Sequence, residues 1–185
     1  METIRGQDAP PPRVYTDLPA NVIRLPGGFL DFDVDCNVLV HRLETNLTLS
    51  QAQTRLSIRA AFGGQRRFEV DRRDYVVDDS AYLLLNLGQV VQSSVESKTP
   101  VECLNVTFHP RFVEEALEAR TRSTERLLND VPAFGLPVGL MVRTYPHNDD
   151  LSRRLFTIRH ALTTIPITQT WLEEQFHGLA DDLLQ

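Results

Sequence analysis

The residues that could do chemistry are scattered along the chain and form no known catalytic pattern. Three acids alternate in DFDVD, residues 31–35, where they could coordinate Ca²⁺, although such alternation is more typical of the solvated face of an edge strand. Two arginine pairs, at 66–67 and 72–73, could bind an anion, but the acids around them favour a salt-bridged surface rim. The sequence contains no GxSxG, phosphate-binding loop or CxxC motif. Catalysis therefore has no recognisable site in this sequence.

Single histidines and cysteines lie in segments that predict structural roles. His41, in NVLVHRLE, could face the interior of a barrel, yet a lone histidine in an apolar strand is usually a hydrogen-bonded core residue. His109 precedes Pro110 at a strand-to-helix junction, which favours a capping or loop role. Cys36 and Cys103 lie in apolar strand-like runs, where buried reduced thiols are expected.

The composition indicates one globular domain whose surface does not bind nucleic acid. The chain has 185 residues, of which 42% are hydrophobic, and this is enough for a sizeable core. Its formal net charge is −6, and 18 arginines and one lysine are dispersed among 25 acids, so the surface should repel a phosphate backbone. The sequence has no membrane-length apolar run and no secretory signal, so we expect a cytoplasmic protein with no membrane partner.

The first part of the chain predicts strands after an irregular start. Prolines at positions 10–12, 19 and 26 deny backbone donors to a sheet, so residues 1–36 are interpreted as an extended N-terminal arm. Segments rich in β-branched and aromatic residues follow, and Gly63-Gly64 is the clearest hairpin turn between them. Seven such segments predict a sandwich or barrel, at residues 38–43, 55–62, 65–70, 73–77, 81–86, 90–96 and 101–108.

The second part of the chain predicts helices. Pro110 suits a first helical turn, and the good helix formers of RFVEEALEAR follow it. Further helices are predicted over residues 123–129, from about Asp149 to Pro166, and after Thr168 or Thr170. The predicted fold class is therefore mainly β with C-terminal helices (α+β), with a barrel over residues 37–109 and a helical segment over 110–185.

The terminal helix, WLEEQFHGLADDLLQ, has an apolar seam of coiled-coil spacing. We predict that this seam forms a homodimer contact through Trp171, Leu172, Phe176, Leu179 and Leu183. The alternative is that the seam packs on its own barrel or on the preceding helix, because any surface helix needs an apolar face. No stop signal follows the last leucines, so we expect a further domain beyond Gln185.

Three segments resemble the N-terminal half of AraC-type transcriptional regulators. They are RRFEVDRRDYVVDDSAYLLLNLGQVVQSSVES, PVECLNVTFHPRFVEEAL and the terminal WLEEQFHGLADDLLQ, and the resemblance covers about residues 37–185. It implies a cupin-like β-barrel, a jelly-roll-type sandwich, followed by about three to four helices, one of which pairs two copies. It also implies that DNA is bound by two helix-turn-helix motifs in a C-terminal domain absent from this chain.

The resemblance to cupins can be tested against metal chemistry. Metal-bearing cupins turn histidines and a glutamate inward from the motifs G-x5-HxH-x3-E-x6-G and G-x5-PxG-x2-H-x3-N. When Gly64 and Gly88 are taken as anchors, the ligand positions fall on residues unsuited to such a metal, namely Gln51, Gln53, Ser57 and Val91. We therefore expect no metal and no other cofactor.

A polar barrel interior would be a ligand site. In RLSIRAAF the apolar residues predict one buried face, whereas the cupin register turns Arg55, Ser57 and Arg59 inward; both hold if helices cover the outer face. An inward arginine would favour an anionic or polyhydroxy ligand. The residues expected to line the site for a small polar effector are His41, Gln53, Arg55, Ser57, Tyr82, Asn86 and Asn105.

Two functions are therefore open. The first is a non-enzymatic effector-sensing and dimerisation domain of an AraC-type bacterial transcription regulator, which contacts DNA only through the absent C-terminal domain. The alternative is a stand-alone metal-free cupin enzyme, similar to a sugar epimerase or isomerase. A reading frame that continues into helix-turn-helix units would favour the first function.

Overall fold

The computed structural model describes six stretches of the chain, residues 22–32, 36–43, 47–109, 111–121, 138–164 and 168–185. Its strands are β1 (Val22–Phe32), β2 (Cys36–Leu43), β3 (Leu47–Gln53), β4 (Ser57–Phe62), β5 (Arg66–Val70), β6 (Arg73–Val77), β7 (Ala81–Leu85), β8 (Val90–Val95), β9 (Val101–Thr107) and β10 (Thr144–Pro146). Its helices are α1 (Phe112–Thr121), α2 (Asp150–Thr164) and α3 (Gln169–Leu183). The first 21 residues of the predicted arm and the predicted helix over 123–129 lie outside these stretches.

The strands form two antiparallel sheets that pack face to face. The six-stranded sheet has the order β1-β2-β9-β4-β7-β10, and the four-stranded sheet has the order β3-β8-β5-β6. Apolar residues from both sheets form one core cluster between them. The predicted fold class, mainly β with C-terminal helices, is confirmed.

The seven strands predicted from the sequence are β2 and β4 to β9, and β1, β3 and β10 were not predicted. β1 falls within the predicted arm, and its register against β2 shifts between Arg24 and Phe29, around Pro26. Such an irregularity lets an edge strand accommodate a proline. β3 has the sequence LTLSQAQ, which contains few of the β-branched and aromatic residues that indicate a strand. β10 has only three residues.

The six-stranded sheet buries both of its faces. In β4, Ala61 belongs to the core between the sheets, whereas Ile58, Ala60 and Phe62 pack in a second core that includes residues of α2 and α3. Side chains alternate along a strand, so Arg59 points to the same side as Ala61. Both faces expected for RLSIRAAF are therefore found: an apolar face against the helices and a polar face between the sheets.

The helices α2 and α3 lie together on the outer face of the six-stranded sheet. The Thr168 side chain accepts a hydrogen bond of 3.2 Å from the Trp171 N–H, so α3 starts at one of the two predicted positions. Arg154 of α2 reaches across α3 at Gly178, where a Cβ would collide with the guanidinium, and its Nε donates to Asp182 at 2.8 Å. Within the described stretches, no helix has the length and apolarity needed to cross a membrane.

Candidate ligand site between the sheets

Polar side chains lie among the apolar residues that fill the space between the two sheets. On β5, Arg66 shares its face with Phe68, a member of the core between the sheets. On β8, Ser93 shares its face with Val91 and Val95, which belong to the same core. The four-stranded sheet therefore contributes a buried arginine and a buried hydroxyl to its inner face.

Arg66 is the buried arginine, with 6% of its surface exposed. Its Nη2 donates to Ser93 Oγ at 2.8 Å, and its guanidinium carbon lies 4.6 Å from the centroid of the Phe68 ring. Its Nε and Nη1 are buried and make no hydrogen bond of normal geometry to the described part of the chain. The guanidinium also interacts with the Cys103 thiol, but sulfur is a weak acceptor and satisfies these nitrogens poorly. This arrangement is unusual, because a buried donor without an acceptor carries a desolvation penalty.

The six-stranded sheet contributes a second arginine. Arg59 on β4 lies directly opposite Asn105 on β9. Burial, and in second place the charge of Arg66, lower the pKa of Arg59 to about 10, so Arg59 is still protonated at neutral pH. Asn105 is 6% exposed, and its Oδ1 accepts no hydrogen bond from the described residues. Two positive charges thus lie close enough to repel each other, on the face that also carries an amide oxygen without a hydrogen bond from any described residue.

Within the described stretches, the two inner arginines lack the ion pair that the partly buried Arg154 makes. On the outer side, Arg154 forms an ion pair with Asp182, whose side chain is almost fully buried. None of the ion pairs found among the described residues includes Arg59 or Arg66. The space between the sheets therefore carries positive charge within a chain whose net charge is −6.

The remaining polar groups of this face include a thiol and a hydroxyl. Burial raises the pKa of the Cys103 thiol, against smaller opposing effects of the charge of Arg66 and of its contact with the thiol, so Cys103 is a protonated and weakly nucleophilic thiol. The Ser57 hydroxyl donates to the backbone oxygen of Arg55 at 3.0 Å. Among the residues that the structure describes, no three histidine, cysteine or acidic side chains are grouped so that they could hold a metal ion.

The polar residues between the sheets form a cluster of Arg59, Arg66, Ser93, Ser57 and Asn105. Two of its members belong to the seven predicted ligand residues. Ser57 and Asn105 lie on the neighbouring strands β4 and β9, on the face between the sheets, and both are buried. His41 pairs through its backbone with β9, and its side chain is not among the described ones. Gln53 ends β3, Arg55 lies two residues beyond it, and both are exposed.

Tyr82, another predicted ligand residue, lies on the opposite face of the six-stranded sheet. Its hydroxyl donates to Asp149 at 2.7 Å, and burial followed by this contact raises the pKa of the phenol. Asp149 also accepts hydrogen bonds from the backbone and hydroxyl of Ser152, and His147 Nδ1 lies 3.3 Å from that hydroxyl. The aspartate bonds the serine rather than the histidine, so the group lacks the order of a catalytic triad. It instead holds the start of α2 on the sheet.

Asn86, the last of the seven, holds a neighbouring loop. Its Nδ2 donates to the Leu140 carbonyl at 2.8 Å, and its Oδ1 accepts from the Leu140 N–H at 2.9 Å. Its backbone N–H donates to the Gln89 side chain at 2.7 Å. Both ends of the amide are therefore used to attach the segment around Leu140 to the end of β7.

Three residues of the cluster, Arg59, Arg66 and Ser93, are absent from the predicted ligand set. The signal available in the sequence was the alternation of side chains along a strand. Arg66 lies two residues before the apolar Phe68 in RRFEV, so the two share one face. The interpretation of residues 66–67 as a surface rim holds for Arg67, which is exposed, and is wrong for Arg66. Adjacent charges hid the fact that the two arginines lie on opposite faces of one strand.

The apolar seam of α3 packs within the chain. Leu172, Phe176 and Leu179 are buried in the core against the six-stranded sheet, and Trp171 and Leu183 are partly buried against the same core. Their burial is achieved by a single copy of the chain. This is the packing that the sequence left open as the alternative to a dimer contact.

The fold and the site together define a helix-backed antiparallel β-sandwich with a positively charged cluster between its sheets. Two solved structures of ToxT from Vibrio cholerae are similar to it. One, bound to an unsaturated fatty acid, has a TM-score of 0.51 and 13% identity, and the match covers 83% of this chain and 56% of that chain. The other, bound to (E)-4-(8-methylnaphthalen-1-yl)but-3-enoic acid, has a TM-score of 0.51 and 13% identity, with coverages of 80% and 56%.

A cupin superfamily protein from Desulfitobacterium hafniense has a TM-score of 0.41 and 10% identity, and the match covers 48% of this chain and 78% of that chain. No protein-family model matches the sequence, and no curated protein matches it. At these identities the similarity to ToxT concerns the fold alone. The chain spans about half the length of the ToxT chains, at 56%.

Proposed function

We propose that this chain is the effector-sensing domain of an AraC-type bacterial transcription regulator and that a small polar effector binds between its two sheets. The observation that carries the proposal is Arg66, a buried cation with two nitrogens that bond no described group. Buried charges are normally paired, so an unpaired one between the two sheets favours a binding site.

The similarity to ToxT supports this proposal. ToxT is an AraC-family regulator, and the two ToxT structures hold an unsaturated fatty acid and a butenoic acid derivative. DNA recognition is assigned to a C-terminal domain beyond the sensing domain, as the resemblance to AraC-type regulators implies. Residues 1–185 carry a net charge of −6 and would not themselves attract a phosphate backbone. Such a regulator acts in the cytoplasm.

The position of the cluster provides a route from effector to helices. Arg66 lies on the four-stranded sheet and Arg59 on the six-stranded sheet, so a ligand that contacts both would fix how the sheets sit together. On the other face of β4, Ile58 packs in the core that includes α2 and α3. An effector that binds one arrangement of sheets and helices better than another shifts the population toward it.

The proposed role is binding without catalysis. The protonated thiol of Cys103 is a weak nucleophile, and the Ser-His-Asp group on the outer face has a structural arrangement. We also propose a homodimer, because two-fold pairing sets two DNA-binding domains at a fixed spacing. Since Phe176 and Leu179 are buried within the chain, the contact would use the outward side of α3, where Glu174 and His177 are exposed.

A fusion protein tests this proposal. Residues 1–185 are joined to a helix-turn-helix domain that represses a reporter gene only as a dimer. We expect repression by the fusion, none by the DNA-binding domain alone, and a change in repression when a panel of small sugars and carboxylates is added. A fusion that represses no better than the isolated DNA-binding domain would contradict the regulator role.

A further inference from the structure

We propose that Arg59 and Arg66 form a binding site for a small monocarboxylate with an apolar body. This inference rests on the proposed sensing role for its biological meaning, and it names the chemical class of the effector. Binding of such an anion can be measured in the isolated chain, apart from any effect on transcription.

The charge between the sheets is the first argument. Arg59 and Arg66 repel each other, and no described carboxylate forms an ion pair with either of them. An anion placed between the two guanidinium groups would compensate both charges. Among the described acids, Asp182 forms its ion pair with Arg154 on the outer side of the six-stranded sheet.

The direction of the donors is the second argument. Arg66 uses Nη2 to bind Ser93, while Nε and Nη1 bond no described acceptor, so both edges of its planar guanidinium still offer a donor. Planar carboxylate oxygens fit such edges. The unused Oδ1 of Asn105 has a related explanation, because rotation of the amide would place an N–H donor at the same position.

The surroundings of the arginines set the rest of the ligand. The core around them is apolar and includes Ala61, Phe68, Leu83, Leu85, Val91 and Val101. An apolar body would gain free energy by contact with these side chains. Inorganic phosphate has no apolar part and would gain nothing from these side chains, so a carboxylate with an apolar body is the better fit.

The burial of the donors links binding to a change of shape. Nε and Nη1 of Arg66 are enclosed by the surrounding side chains. A carboxylate can bond Arg66 only if the guanidinium or its surroundings shift. Binding would therefore favour a second arrangement of the two sheets, as an effector site requires.

The experiment uses the whole chain at neutral pH with three probes: hexanoate, the neutral analogue hexanamide, and inorganic phosphate. Binding is measured by calorimetric titration and by the shift in melting temperature, for wild type, Arg66→Met and the matched control Arg67→Met. Arg67 is the exposed neighbour on the other face of β5, so its loss changes net charge equally and leaves the cluster intact.

We expect hexanoate to bind wild type and Arg67→Met alike, and to bind Arg66→Met about 10- to 100-fold more weakly, as the loss of charge-assisted hydrogen bonds predicts. Without ligand, Arg66→Met should melt at or above the temperature of wild type, since a buried unpaired charge is removed. If Arg66→Met fails to fold, Arg59→Met replaces it with the same expectation for hexanoate.

Several results would overturn the inference: equal binding of hexanoate and hexanamide, preference for phosphate, undiminished binding by the arginine variants, or no hexanoate binding below about 10 mM. The fusion reporter separates the two proposals. An active fusion without hexanoate binding would refute the carboxylate site alone. Hexanoate binding with an inactive fusion would refute the regulator role alone.

Discussion

Truncation of Phe176 tests where the apolar seam of α3 is buried. Phe176 is 0% exposed and packs edge to face on Phe108 at a centroid distance of 5.6 Å. Phe176→Ala removes a fully buried ring, which costs about 3 to 5 kcal/mol, and the loss of an aromatic pair favours the upper part of that range. For a chain of this length the melting temperature should fall by about 8 to 20 °C.

The assay is urea unfolding followed by circular dichroism at two protein concentrations, with sedimentation to give the molecular mass. We expect the loss of stability in Phe176→Ala to be the same at both concentrations, because the ring is buried within one chain. Glu174→Ala is the matched control, since Glu174 is exposed on the same helix, and it should change stability by less than about 0.5 kcal/mol. A stably folded, monomeric Phe176→Asp variant of a dimeric wild type would refute this reasoning and assign the seam to a partner.

Three further predictions concern a turn, a loop and a helix start. Asp71 and Arg72 form the two-residue turn between β5 and β6 with φ angles of 49° and 68°, so Arg72→Gly should raise the free energy of unfolding by about 0.5 to 1 kcal/mol in urea titrations, and a loss would contradict the turn geometry. Asn86→Ala should cost about 1 to 3 kcal/mol and speed amide exchange at Leu140, whereas unchanged exchange would show that the loop is held by other contacts. Burial alone would raise the pKa of Asp149, but the hydrogen bonds it accepts outweigh burial and lower the pKa below 3.8. Its stabilising effect is therefore present above that pH and lost as the pH falls through the folded-state pKa, so Asp149→Asn should flatten this part of the acid unfolding curve, and an unchanged curve would count against it.

Local chemistry was sufficient to predict most of the fold. β-Branched runs with turn residues between them mark β4 to β9, and an N-terminal threonine marks the start of α3. The sequence signal was weak where tertiary pairing overrides composition. β1 forms despite Pro26 because its register shifts there, and β3 is mostly polar along LTLSQAQ.

The candidate site was harder to predict than the fold. The alternation of side chains along a strand shows which residues share a face, but it does not show whether that face packs against the other sheet or against the helices. Ser57 and Asn105 were predicted and lie in the cluster, while Tyr82 lies on the outer face of the same sheet. Arg66 was hidden by its neighbour Arg67. The seam of α3 shows the same limit, since periodicity predicts an apolar face and leaves open whether the chain itself or a second copy covers it.

A crystal structure of the chain grown with saturating hexanoate tests the central claim, that a ligand binds between the two sheets, most directly. The account predicts a carboxylate between the sheets, with an oxygen within hydrogen-bond distance of Nε or Nη1 of Arg66 and the apolar chain against Phe68 and Leu83. Hexanoate bound at another surface, with both nitrogens of Arg66 paired to groups of the chain itself, would contradict it.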